Sequence, residues 1–411
     1  MPNASAVPAA PTKTRAGADR LASLDAYRGF IMLAMITGGL GLATVAKQFP
    51  DSELWRELKF HSNHAEWIGG GFWDVIQPAF MFMVGVSMPF SYGARAARGD
   101  SYRRMLGHAI WRSFVLVALG VFLTSNGGRL TNFIFPNVLC QIGLGYTLLF
   151  LLWNRKPIVQ VGVAVLILAG TWLAFGIYPA PPDDVDLAKY GLPADWPLLT
   201  GLEAHWNKNL NAFAAFDRWF LNLFPREKPF EFNDGGYTTL NFVPSLVTMI
   251  LGLLVGELMR STRGAGFKLF VLLAAGGSLL GAGYGLHELG LCPAVKRIWT
   301  PSWALYSGGV VFLMLAGFYL VIDICRLKFL GWPFMVVGMN SIAAYCMSQM
   351  MKPWLRRTWQ THFGADVFKL EFTLSDGTLI NVTPIAESVA VTFTIWLICV
   401  WMYRQKIFVR I

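Results

Sequence analysis

Ten apolar stretches, each near the ~20 residues that a helix needs to cross the hydrocarbon of a bilayer, divide this 411-residue chain. They run over 29–47, 72–92, 109–125, 134–153, 157–177, 238–259, 266–286, 303–325, 330–351 and 385–403, bounded by charges, prolines or glycines. In lipid, a lone segment must satisfy its own backbone N–H and C=O groups, so each stretch reads as a helix. The predicted fold is an all-α polytopic membrane protein, a bundle of about ten transmembrane helices. Composition supports this: 55% of residues are hydrophobic and only 14% charged, against about a quarter charged in soluble domains. Disorder and collagen are excluded by the same figures. Cys140, Cys292, Cys325, Cys346 and Cys399 show no CxxC or ligand-like spacing, so neither a disulfide framework nor a metal site is expected.

Residues 1–24, polar and rich in Ala, Pro and Ser, are expected to form a disordered cytoplasmic tail. The remainder, 25–411, reads as one membrane domain with two long extracytoplasmic loops, 178–237 and 352–384. The first is acidic and aromatic, with Asp183, Asp184, Asp186, Trp196, Trp206 and Trp219. Loops of that length are commonly functional or disordered. No repeat period is visible, nor the inverted repeat that transporters often carry.

The net charge of +10 would suggest nucleic acid in a soluble chain, but here it follows the alternation of loops. The N-tail, 93–108, 154–156, 260–268, 326–329 and the C-tail together hold 17 of the 34 Lys and Arg residues, mostly in short segments. The opposite set holds 15 in longer loops, and Arg28 and Arg112 lie within spans. Acidic residues divide 5 to 19 in the same order. The short basic segments place both termini in the cytoplasm by the positive-inside rule. No nucleic-acid partner is implied.

The densest polar cluster outside the tails lies between the first two spans: His61, Asn63, His64, Glu66 and Trp67, then Gly69-Gly70-Gly71 and Asp74. Histidine titrates nearest neutrality and can both take and release a proton. A carboxylate at a span end is costly unless paired or wet, and one reason to keep it is to fix a histidine tautomer. The competing reading leaves the histidines as interfacial loop residues and Asp74 as a hydrated helix cap. At the cytoplasmic end, Asp25 and Arg28 are spaced to pair along a helix. Arg28, Arg95, Arg98, Arg103 and Arg104 offer guanidinium forks to a phosphorylated ligand, or serve only as topology anchors. Arg112 inside a span suggests a wet or ligand-lined cavity. Asn137, Gln141, Asn241, Asn340, Ser341, Ser348 and Gln349 within apolar runs suit interhelical hydrogen bonds, or oxyanion stabilisation where they face a cavity.

At these positions the chain resembles the transmembrane acyltransferases related to heparan-alpha-glucosaminide N-acetyltransferase, particularly bacterial-type members. The matching stretches are SLDAYRGFIML at 23–33, HAEWIGGGFWDVIQPAFMFMVGVSMPFS at 64–91, NVLCQIGLGY at 137–146, TLNFVPS at 239–245 and VGMNSIAAYCMSQ at 337–349. The resemblance implies transfer of an acyl group, typically acetyl from cytoplasmic acetyl-CoA, to an amino sugar or related glycan on the other side. It implies His64 as general base or acyl-carrying nucleophile, with Trp67 and Asp74 at the family's spacing. Relatives of the eukaryotic type carry an assisting Asn in the first span, where this chain has Thr37, Gly38 and Gly39, so Asn241 and Asn340 stand as substitute donors. Arg28, Arg95, Arg98 and Arg112 are expected to hold the nucleotide end of acetyl-CoA, the co-substrate, with no metal. Expected partners are the bilayer, the acyl-CoA donor and a glycan acceptor, with homodimerisation compatible, in a bacterial inner membrane. The alternatives are a transporter or flippase for a sugar-type solute, using Asp74, Arg112 and the buried amides as a polar path, and a scaffold whose outer loops bind proteins.

Overall fold

The computed structural model describes residues 21–373 and 377–409. The first twenty residues of the expected tail lie outside the described residues, and helix begins at Ala22, just inside the predicted tail boundary. In chain order the helices are α1 Ala22–Thr37, α2 Leu42–Val45, α3 Glu53–Ser62, α4 Phe72–Ala97, α5 Tyr102–Thr124, α6 Val138–Leu152, α7 Pro157–Gly176 and α8 Ala212–Phe220. They continue as α9 Phe242–Arg260, α10 Ala265–Glu288, α11 Pro301–Phe318, α12 Lys328–Gly338, α13 Ser341–Met350, α14 Lys352–Phe363 and α15 Thr383–Arg404. A hairpin of two three-residue strands, β1 Glu371–Thr373 and β2 Leu379–Asn381, pairs antiparallel with Glu371 opposite Asn381. This is an all-α polytopic membrane protein: among the described residues eight helical stretches are long and apolar enough to span, counting Ala22–Gln48 as one, and the α12–α13 pair, bent by 62°, is a ninth candidate. The predicted fourth span is the 15-residue α6, which is shorter than a full crossing.

Local sequence explains many boundaries. Ser52, Ser101, Asn137 and Thr300 accept hydrogen bonds from the third residue of the helix each precedes, and Pro157 and Pro301 occupy first turns, where a missing N–H costs nothing. The expected first span breaks after Thr37, because Gly38, Gly39, Leu40 and Gly41 all take left-handed φ, from 54° to 75°. Three glycines make that turn inexpensive, and Leu40 carries the strain.

Burial ranks the helices. In its most apolar stretch α4 is 72% buried and α9 67%, against 17% for α5 and α10, so α4 and α9 form the axis and α5 and α10 lie at its periphery. Their contact depends on small residues. A Cβ on Gly85 would lie 2.0 Å from the Met249 carbonyl oxygen, and one on Gly252 2.1 Å from that of Phe82. With lipid tails as apolar as leucine, such close backbone approach drives helices together. The predicted outer loops carry structure of their own. The segment 178–237 contains α8 and contributes Trp206 and Phe213 to an apolar cluster with Trp67, Phe175, Val295 and Ile298. At about 1.5–3 kcal/mol for each large side chain buried, this cluster clamps the loop before α4 against the loop before α11.

Candidate active site

The clamp brings His64, Asp74 and Lys296 together. Gly69 N–H donates to the Ala294 carbonyl at 2.8 Å and joins Val295 in a short parallel bridge. Thr300 Oγ1 accepts from Val295 N at 2.9 Å, and Trp299 takes a left-handed φ of 49°, so the chain turns sharply and delivers Lys296. Arg297 donates to the Ala65 carbonyl at 3.1 and 3.0 Å and to the Gly235 carbonyl at 2.6 Å, tying three loops into one wall.

Asp74 is 1% exposed and fully engaged. Its Oδ2 accepts from the backbone N–H of Ala65 at 3.0 Å and of Gly71 at 3.2 Å. Its Oδ1 lies 2.8 Å from His64 Nδ1 and 3.2 Å from Lys296 Nζ. Lys296 Nζ is also 3.0 Å from His64 Nδ1. One nitrogen cannot both donate to Asp74 and accept from Lys296. With Nδ1–H given to Asp74, the ammonium takes the same carboxylate, and Nε2 keeps a free lone pair. Lys296 is 4% exposed, and burial pushes its pKa down to about 8 against the opposing pull of Asp74. The His64 side chain, at 40%, is the accessible member. It opens on a cavity of about 310 Å³ lined also by Trp73, Gln77, Asn233, Tyr237 and Gln349.

Other expectations resolve differently. His61 Nδ1 accepts from Phe72 N at 3.1 Å, so His61 caps α4 at the surface. Asn340 does not reach His64: its amide donates to the Ile407 carbonyl and accepts from Val409 N, both at 3.0 Å, pinning the C-terminal segment near the other end of the bundle. Asn241 is buried beneath the site, not in it. It donates to the Arg297 carbonyl at 2.5 Å and accepts from Thr238, so its amide is spent on holding the Lys296–Arg297 turn. Gln77 and Gln141 share an interhelical bond of 2.9 Å. Thr37 lines a different cavity. Sequence reasoning passed over Lys296; the available signal was a Lys-Arg pair in a short apolar loop on the side otherwise poor in short basic segments.

The arginines assemble at the opposite end. Arg28, Arg95, Arg98 and Arg112 line one open cavity of about 590 Å³ with His108 and Ser341. Arg28 lies 3.6 Å from Asp25 and donates to Ser87 Oγ at 2.6 Å; Arg95 donates to His108 Nε2 at 2.8 Å. Arg112 stacks over Tyr146 at 4.8 Å, and its buried Nε has no hydrogen-bond partner. An orphaned donor of this kind beside a cavity points to a ligand. Arg28, Ser91, Arg112 and Ser341 also line an inner chamber of about 200 Å³ that runs along Ser87, Val84, Met83 and Phe80 of α4. Gln77 of α4, Val138 of α6 and Tyr345 of α13 belong to the His64 cavity, while Phe80, Leu139 and Ile342, each within one turn, belong to the inner chamber. The three spaces are thus stacked along α4. From Asp74 to Arg95 that helix rises roughly 30 Å, the thickness of the hydrocarbon. Among the described residues no group of three His, Cys, Asp or Glu side chains gathers as a metal site.

Fold and site together define a multi-pass membrane protein with a His64–Asp74–Lys296 cluster at one end and a guanidinium-lined cavity at the other. Over 404 residues the chain is 24% identical to heparan-alpha-glucosaminide N-acetyltransferase of Mus musculus, covering 85% of this chain and 56% of that protein. Against the Homo sapiens protein of the same name it is 24% identical over 438 residues, covering 95% and 60%. The chain therefore spans less than two thirds of the length of these curated relatives, and the likeness supports a related family. No protein-family model matches it.

Proposed function

We propose that this chain is a transmembrane acyltransferase that carries an acetyl group from acetyl-CoA on the cytoplasmic side to an amino sugar or related glycan on the other, in a bacterial inner membrane with both termini inside. The observation that carries this reading is the stack of cavities along α4, which sets a mouth rich in guanidinium groups in line with His64. A bilayer blocks a polyanion but not a slender arm threaded between helices. The unpartnered Arg112 Nε and the forks of Arg28, Arg95 and Arg98 suit the phosphates at the mouth. The similarity to two N-acetyltransferases points to the same class of reaction.

Asp74 holds the Nδ1–H tautomer of His64, leaving Nε2 as the base or nucleophile. By the direct route the acceptor nitrogen attacks the thioester carbonyl carbon, Nε2 takes its proton, and the C–S bond breaks with that proton passing to the departing thiolate. By the two-step route Nε2 forms a C–N bond to the acyl carbon as the C–S bond breaks and the thiolate departs; the acceptor nitrogen then attacks that carbon, the C–N bond to His64 breaks, and the acceptor's proton passes through Nε2 to the thiolate. Both develop negative charge on the carbonyl oxygen, and Lys296 is the cation nearest the imidazole. Trp73 and Tyr237 offer faces, and Asn233, Gln77 and Gln349 offer amides, to a sugar ring.

The test is acetyl transfer from labelled acetyl-CoA to glucosamine by the purified chain, with His64→Ala expected to lose about 10² to 10⁴ in rate. Wild-type turnover in that variant would refute the assignment. Uptake of an intact sugar without acetyl-CoA consumption would favour a transporter.

A further inference from the structure

A second cavity, larger than the one at His64, lies on the same side of the membrane and takes no part in the proposed chemistry. It has a volume of about 770 Å³ and is walled by the left-handed turn after α1, the first two turns of α14 and the start of α15. Met35 and Gln349 line the His64 cavity, whereas Ile36 and Lys352 line this one, so the two occupy neighbouring faces of α1 and of the α13–α14 junction.

Its charge is unbalanced. Lys352, Arg356 and Arg357 face it against a single carboxylate, Glu387, which is 3.1 Å from Arg356. Neither the Lys352 ammonium nor the Arg357 guanidinium has an ion-pair or hydrogen-bond partner among the described residues. Burial alone moves the Lys352 pKa downward, with no nearby carboxylate opposing it. Gly38 matters here: a side chain there would begin 3.6 Å from Lys352 Nζ, within the space the ammonium faces. Thr383, Ser388 and Gln360 add neutral donors, and α15 begins at the rim, presenting the positive end of its dipole. Clustered cations on this side run against the distribution of charge over the rest of the chain, so the cluster calls for a ligand. The neighbouring Trp354, 57% exposed, is an amphipathic ring suited to the headgroup level.

We propose that this cavity binds an anionic phosphate group, held by Lys352 and Arg357 and presented either as the headgroup of an anionic lipid or as a soluble phosphate. Its recognition chemistry is charge-assisted hydrogen bonding to the phosphate oxygens. It is independent of acyl transfer.

The experiment follows the thermal unfolding midpoint of the full chain in detergent while three probes are titrated: inorganic phosphate, short-chain phosphatidylglycerol and phosphatidylcholine of the same chain length. A ligand that binds only the folded state raises the midpoint with concentration. A rise with phosphatidylglycerol alone assigns the site to a lipid headgroup, and a rise with inorganic phosphate assigns it to the soluble anion. Lys352→Gln/Arg357→Gln should weaken the responding probe by roughly tenfold or more, as expected for loss of charge-assisted bonds, while Arg56→Gln, exposed on the same side, should not. Should the double variant fail to fold, the exposed Arg357→Gln alone carries the comparison. Equal shifts with phosphatidylcholine, no shift with any probe, or an undiminished shift in the variants would overturn the proposal.

Discussion

Replacing Lys296 tests the site at the residue that only the structure brings to it. Lys296→Met removes one of the four donors on Asp74 and, among the described residues, its only lysine or arginine partner, leaving the two backbone N–H groups and the His64 ring. Breaking a buried ion pair typically costs 3–5 kcal/mol, and the surviving donors put this one near the low end, about 3 kcal/mol of stability. Losing an oxyanion donor costs about 10² to 10³ in kcat, so turnover at neutral pH should fall by that factor while KM for acetyl-CoA, set at the far mouth, stays close to wild type. The pH profile supplies a sharper readout. With its pKa pushed down to about 8 by burial, Lys296 loses its proton well below an ordinary lysine, so wild-type kcat should decline as pH rises through about 8. Lys296→Arg keeps its charge throughout this range and should abolish that decline while retaining part of the neutral rate. The assay is steady-state acetyl transfer in detergent from about pH 7 to about 9.5. A Lys296→Met enzyme within a few-fold of wild type, or an alkaline decline that persists in Lys296→Arg, would refute the role.

Val84→Trp, which fills the chamber between the mouth and His64, should raise KM for acetyl-CoA or stop turnover without altering acceptor binding, as measured by inhibitor protection or equilibrium binding of the sugar. Arg112→Ala should raise KM for acetyl-CoA about tenfold or more with a smaller change in kcat, consistent with loss of a charged hydrogen bond. Asp217 is buried with one carboxylate oxygen unpaired, and burial lifts its pKa to about 6. Because the folded state holds that proton more tightly than the unfolded chain, the contribution is fully present below about pH 4 and is lost as pH rises through 6, a swing of about 3 kcal/mol. Asp217→Asn should therefore remove an unfolding midpoint that drops between those values; an unchanged profile would exclude Asp217 as its source. Gly252→Leu should separate α4 from α9 and yield a chain that unfolds at markedly lower temperature, read by the same scan.

Much of the fold was legible in the sequence because lipid imposes one rule along the whole chain: apolar length makes helix. The long spans needed no tertiary information, nor did the proximity of His64 and Asp74, which are only ten residues apart across a short loop and the first turn of α4. The clustering of Arg95, Arg98 and Arg112 likewise follows from adjacent helices. The limits of periodicity also show. Hydropathy could not see that the first span breaks into a left-handed turn after Thr37, or that the ninth bends by 62°, because both depend on backbone conformations that leave the local apolar content unchanged.

Tertiary structure alone decided which distant polar groups meet. Lys296 reaches His64 across 232 residues because aromatic burial by the 178–237 segment clamps two loops together, and no local pattern encodes that contact. The same packing spends the amides of Asn241 and Asn340 on backbone carbonyls, although in the sequence they look as suited to an oxyanion as any other. Hydrophobicity is additive along a chain and can be read from it. A cavity is a property of what several helices fail to fill, so the route along α4 and the basic chamber beside it exist only once the bundle has packed.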